Sequence, residues 1–139
     1  MAFTDTKRRM TGGGSVFTSD VTRVTHGFEL HCSTLQKPNN LQVNWSGNRF
    51  HLENLSAVTC LDDPALNPAP PPAGFDTYIA EGNGGYNGVS GATIRWTFTD
   101  DGETGVDDMA TMEIKDKDGN LVLSVSGKLT FGNHQAHGK

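Results

Sequence analysis

The chain has 139 residues, 35% of them hydrophobic, which suits one domain that buries about two thirds of the surface its unfolded chain exposes. A formal charge of −5 excludes a nucleic-acid partner on electrostatic grounds, because phosphate backbones are held by cationic surface, and the cluster Lys7-Arg8-Arg9 is too small to reverse it. No apolar run approaches the length of a bilayer span, so membrane insertion is not expected.

In chain order, residues 1–13 read as an N-terminal tail running into Gly12-Gly13-Gly14, and residues 14–139 as a single β domain. The start lacks the apolar core of a signal peptide. Period-two alternation begins after the glycines. Val24, His26, Phe28, Leu30 and Cys32 share one face, and Thr25, Glu29 and His31 the other. Lys37-Pro38-Asn39-Asn40 is a turn. Leu41, Val43 and Trp45 then point one way. After the turn Ser46-Gly47-Asn48, Phe50 and Leu52 point inward while Arg49, His51 and Glu53 point outward. A further run, Leu55 to Cys60, follows.

Residues 62–74 hold five of the six prolines and cannot form a central strand; the segment reads as a stiff extended crossing between sheets or barrel staves. Strands are expected again at Phe75–Ala80, Ala92–Thr99, Met109–Lys115 and Leu121–Phe131, with Asp116-Lys117-Asp118-Gly119-Asn120 as a hairpin turn. No helix-period segment exceeds one or two turns. The expected fold is all-β: a single antiparallel β-sandwich or flattened β-barrel of about 8–10 strands.

The two cysteines, Cys32 and Cys60, each close a strand-like run, which predicts a disulfide between strands. In the chain-entropy model such a bond contributes roughly 3–4 kcal/mol. The competing reading is a pair of reduced, buried thiols.

Three constellations can carry chemistry. Glu29 and His31 are two apart, as are His51 and Glu53, so each pair projects from one strand face. Joined by Gln135 and His137, the three histidines form a candidate copper or zinc site, with Glu29 or Glu53 as candidate base or orienting carboxylate. Asp100, Asp101, Glu103, Asp107 and Asp108 form an acidic, glycine-flexed loop whose oxygen-only donors suit calcium, without EF-hand spacing; a solvated hairpin loop accounts for the same residues. Tyr78 and Tyr86 are candidate carbohydrate-stacking rings, because Trp45 and Trp96 lie in register with core aliphatics. His26, on the apolar face, reads as a core histidine. No nucleophile elbow or phosphate-binding loop is present in the sequence.

The runs Arg9-Met10-Thr11-Gly12-Gly13-Gly14-Ser15, His26-Gly27-Phe28-Glu29-Leu30-His31-Cys32, Asn40-Leu41-Gln42-Val43-Asn44-Trp45, Ala73-Gly74-Phe75-Asp76-Thr77 and Gly132-Asn133-His134-Gln135-Ala136-His137 carry a resemblance. Over most of residues 9–137 the chain resembles a bacterial extracellular module of the post-choice-of-anchor (post-COAP) type, found beside choice-of-anchor and Ig-like segments in surface proteins. The family's acidic loop falls on Asp100 to Asp108, shifted by one, and its histidine on His51. The resemblance implies location and fold and brings no activity with it. The run Gly82 to Gly91 is more weakly similar to a turn in dirigent and allene oxide cyclase barrels.

The expectation is therefore a non-catalytic, secreted or cell-surface β module for binding or assembly, its signal lying outside this sequence. Self-assembly, neighbouring surface-protein modules or a carbohydrate are the candidate partners. The alternative is a small histidine-ligated metalloenzyme acting on an extracellular substrate.

Overall fold

The computed structural model describes residues 8–67, 71–101 and 107–138. Those residues form nine strands and no helix: β1 (Arg9–Phe17), β2 (Arg23–His31), β3 (Asn40–Trp45), β4 (Asn48–Leu61), β5 (Thr77–Tyr86), β6 (Val89–Thr99), β7 (Met109–Lys115), β8 (Leu121–Lys128) and β9 (Phe131–His137). All belong to one antiparallel sheet in the order β8-β7-β6-β5-β4-β3-β2-β1-β9. No helix among the described residues is long and apolar enough to cross a membrane.

The strands at the two ends of this order, β8 and β9, are consecutive in the chain and joined by Leu129-Thr130 alone. The sheet must therefore curl until its ends meet, as a flattened barrel does. Every pairing is antiparallel, so strands eight steps apart in the order run the same way. β8 and β9 thus make one bent stave. Its first half pairs with β7 and its second half with β1. The change of neighbour happens at the bend, where the Leu129 amide donates to Asp108 O (2.9 Å) and the Thr130 amide to Ser15 O (2.8 Å).

Alternation sorts the side chains as expected. Val24, Leu30, Leu41, Val43, Phe50, Leu52, Ile94, Trp96, Phe98, Met112 and Ile114 all face inward and are buried. Leu123 and Val125 join them, but Leu121 and Phe131 are exposed. A register shift between Ile114 and Lys115 sets Leu121 outside, and the bend ends the β8 alternation before Phe131.

Residues 9–13, read as part of a tail, are the first half of β1. The glycines there serve close approach rather than looseness. A Cβ on Gly12 would lie 2.2 Å from Asn133 O, and one on Gly14 2.1 Å from Phe131 O. The proline-rich segment, of which residues 68–70 lie outside the described residues, joins two neighbouring staves, β4 and β5, rather than two sheets, with Leu61 paired to Thr77. The Asp63 amide donates to Asp76 Oδ1 (2.8 Å) and the Asp76 amide to Leu61 O (3.0 Å), closing this excursion at its base, and Phe75 is fully buried.

The predicted disulfide is present: Cys32 and Cys60 are bonded with Cα atoms 5.9 Å apart. It joins the end of β2 to β4, which are not hydrogen-bonded neighbours, because β3 lies between them and starts only at Asn40. A disulfide fits an oxidising, extracellular-type environment. Reduction, or a Cys32→Ala, Cys60→Ala double variant, is expected to lower the unfolding free energy by about 3–4 kcal/mol, read from denaturant midpoints with and without reductant.

Candidate functional site

β4 is the strand that positions the most chemistry. Its lower part pairs with β3 through Gln42↔His51 to Trp45↔Asn48, and it pairs with β5 from Phe50 to Leu61. Two irregularities, between Leu52 and Asn54 and between Leu55 and Ala57, re-aim its side chains. They sit opposite glycines for a steric reason. A Cβ on Gly84 would lie 2.0 Å from His51 O, so only glycine lets β5 follow the bend.

Where β3 gives out, β2 and β4 converge. With β3 between them their backbones stand roughly 10 Å apart, two strand spacings; at the disulfide the Cα separation is 5.9 Å. The space between forms a wedge on the outer face. One wall is the 33–39 loop, the other is β4 from His51 to Leu55, and the cleft is about 620 Å³. The loop wall is held by its own bonds. Asn39 Oδ1 accepts the His31 amide (2.7 Å), and Asn39 Nδ2 donates to Gln36 O (2.6 Å). A second, shallower cleft of about 360 Å³ over Glu29, Asn40 and Gln42 adjoins the first and shares Asn40 and His51 with it.

Three of the sequence candidates meet here in part. Glu29 lies beside Asn40 in register and borders the shallow cleft, and exposed His51 stands between the two clefts. Glu53 borders the wedge, but its carboxylate accepts the Ser90 hydroxyl (3.0 and 3.1 Å) across β5.

The proposed transition-metal set is not brought together. In the cross-strand row His31–Arg9–His137 the two histidines are separated by all of β1, roughly 10 Å. Two imidazoles can bridge such a backbone separation, but both rings have other partners. His31 Nδ1 donates to Pro38 O (2.7 Å), and His137 Nε2 meets Thr11 Oγ1 (2.8 Å). Partial burial, then the nearby Arg9 charge, hold the His137 pKa below the usual imidazole value. Gln135 pairs with Thr11 on the same outer face, one row from His137. Among the described residues no group of three or more His, Cys, Asp or Glu has a metal-holding arrangement.

Tyr78 is not a surface ring. It is fully buried and its hydroxyl donates to His31 O (2.6 Å); burial pushes its phenol pKa up. Tyr78 stands just inside the start of β5, on the same buried face as Ala80, and its ring stacks near Trp96 (6.2 Å); setting the tryptophans aside singled it out, and alternation would have turned it inward. Tyr86 is half-buried and stacked on Trp45 at 5.9 Å.

The acidic loop has a different occupation from a bare cation cradle. Asp108 is fully buried: its Oδ1 accepts the Asp101 amide (2.6 Å) and its Oδ2 the His134 amide (2.7 Å). Asp100 Oδ2 accepts the Ala136 amide (2.8 Å). Asp101 Oδ1 accepts the Asn67 amide (2.8 Å), and Asp107 pairs with Lys128 Nζ (3.2 Å). Glu103 lies outside the described residues. Among the described residues β9 has a strand partner only in β1, and on its other side these two carboxylates receive amides that a neighbouring strand would otherwise take. Burial raises the Asp108 pKa to about 6 against the two amide bonds, which lower it.

Behind that clasp His26, expected from the sequence as a core histidine, meets a second one, His134. His134 is fully buried and its Nε2 lies 2.8 Å from His26 Nε2. His134 Nδ1 faces Thr99 O at 2.9 Å. A nitrogen facing a carbonyl carries the proton, so His134 Nε2 is the acceptor and His26 Nε2–H the donor. His26 Nδ1 is then bare and has no partner. Both rings pack on Phe98 (5.0 and 4.9 Å). Burial holds His26 at about 3, with the neighbouring His134 adding to it, and burial holds His134 at about 4. The signal for His134 was in the sequence: if Gln135 and His137 face out, alternation turns the residue before Gln135 inward.

Compared with known proteins, the chain matches no family model, no curated protein and no solved structure.

Proposed function

We propose that this chain is a non-catalytic, secreted or cell-surface β module for binding or assembly. The observation that carries the reading is the filled interior. Core side chains from every strand but β9, whose His134 is also buried, occupy the inside of the curled sheet, so the polar groups offered to another molecule lie on the outer face. The disulfide supports a site outside the reducing cytosol, and the resemblance to post-choice-of-anchor modules supports surface display. Exposed Leu121 and Phe131, at the two parts of the bent stave, supply apolar surface for contacts with a neighbour.

Two measurements test it. Alkylation of the freshly purified chain without reductant is expected to label no cysteine; labelling of both would remove the extracellular half of the reading. Elemental analysis is expected to find no stoichiometric transition metal. Copper or zinc at one per chain, lost in a His51→Ala, His137→Ala double variant, would instead favour the metalloenzyme.

A further inference from the structure

We propose that the wedge between the 33–39 loop and β4 binds a neutral sugar residue of a glycan. The inference deepens the binding half of the module reading and rests on it.

Shape decides against an extended peptide. A strand added beside β4 needs about 4.8 Å on each side, roughly 10 Å between the flanking backbones. The wedge offers that width only where β3 begins and narrows to a 5.9 Å Cα separation at Cys32–Cys60. A compact ring can occupy the wide end, and an adding strand would run into the disulfide within a few residues. The cleft volume of about 620 Å³ lies within the range of small-molecule sites.

The lining matches a polyhydroxylated ring. Its exposed apolar surface is Pro38, while Leu52 and Leu55, which also border the cleft, are buried and face the core. Its polar part is Asn40, His51 and Asn54, all exposed. Each planar amide presents a donor and an acceptor side by side, as a pair of vicinal hydroxyls does, and the imidazole adds a further polar group beside them. The two charged side chains at the cleft, Lys37 and Glu53, have opposite signs, and Glu53 is held by Ser90, so no ionic group of the ligand is selected. The adjoining cleft over Gly27 and Gln42 gives a second sugar of a chain room to continue, because Gly27 has nothing within 4 Å of where a Cβ would stand.

The test is an amide-resolved NMR titration of the disulfide-bonded chain with glucose, galactose, mannose and N-acetylglucosamine, and with glycerol and triglycine as comparators. At least one sugar is expected to shift the Asn40 and Asn54 side-chain amides and the His51 backbone amide, with a roughly millimolar dissociation constant for a single ring. Its affinity should exceed that of glycerol by at least tenfold. His51→Ala and Asn54→Ala, both at exposed positions, should each weaken it at least fivefold with no change in melting temperature. The proposal is overturned if no sugar moves these signals, if triglycine moves them as strongly as the best sugar, or if the shifts fall on another face. Those outcomes leave the thiol and metal measurements untouched, so this failure and that of the module reading are separable.

Discussion

Asp108→Ala is expected to lower the unfolding free energy by about 2–4 kcal/mol at pH 5 and to expose the His134 and Asp101 amides to rapid hydrogen exchange. The carboxyl group is fully buried and takes one backbone amide on each oxygen. Alanine leaves both donors without an acceptor, and an orphaned buried donor costs about 1–3 kcal/mol. At pH 5 the group is protonated in the fold, since its pKa is raised to about 6, so the variant removes little buried charge that would offset the loss. The damage should be local first. The stave is held at this point by the clasp and by Leu129 on Asp108 O, so β9 should lose protection before the β3–β7 region does. Uniform exchange across all strands, or a loss under 0.5 kcal/mol, would show that the clasp does not hold the stave. Asp108→Asn is expected to behave similarly, because its amide nitrogen would face one of the two N–H donors.

Acid should weaken the fold through the histidine pair, and the sign follows from His26, His134 and Asp108 together; buried Asp76, whose carboxyl is also raised by burial, acts in the direction of Asp108 and lessens the slope. His26 and His134 have folded pKa values of about 3 and about 4, below the unfolded value of 6.5. Their contribution is complete above pH 6.5 and is lost as pH falls toward the folded values, because the unfolded chain takes up protons that the fold refuses. Asp108 works the other way. Its folded value of about 6 lies above the unfolded 3.8, so its contribution is present below pH 3.8 and is lost as pH rises to 6. Between pH 6 and 4 the unfolded chain binds two histidine protons more and one carboxyl proton fewer. The net slope is about 1.4 kcal/mol per pH unit, with stability falling on acidification.

From pH 6.5 to 4.5 the loss should total about 2–3 kcal/mol, measured by urea titration followed through tryptophan fluorescence. Removing Asp108 should steepen the slope over the same window, and His26→Phe should flatten it. A profile that is level, or that rises toward acid, would mean that the pair is not the neutral, mutually bonded unit described.

Much of the barrel could be read from alternation, since a buried face imposes period two wherever a strand is regular. Val24 to Leu30, Leu41 to Trp45 and Ile94 to Phe98 are such stretches, and the meeting of Cys32 with Cys60 followed from them. The reading failed where a position is fixed by chain far away. Residues 9–13 look loose because glycine has no side chain, yet their extended form comes from β9, which lies more than a hundred residues later. The acidic loop reads as a calcium cradle or a solvated hairpin, because composition reports charge and not the amides of His134 and Ala136 that Asp108 and Asp100 accept. The metal set is not assembled among the described residues: period two places His31 and His137 on one face but does not report the Pro38 carbonyl and the Thr11 hydroxyl that engage their rings.

The pairing of Arg9 with His137 places the two ends of the folded unit side by side at one rim. Within a longer polypeptide, tension would enter and leave the barrel through adjacent points and pull β1 and β9 apart one residue pair at a time. That is the geometry of a zip, which resists weakly, rather than of a lap joint, in which all the bonds share the load at once. A string of such units would yield from the seam outward, while the cystine bridge kept the stretch between Cys32 and Cys60 of each bead from paying out.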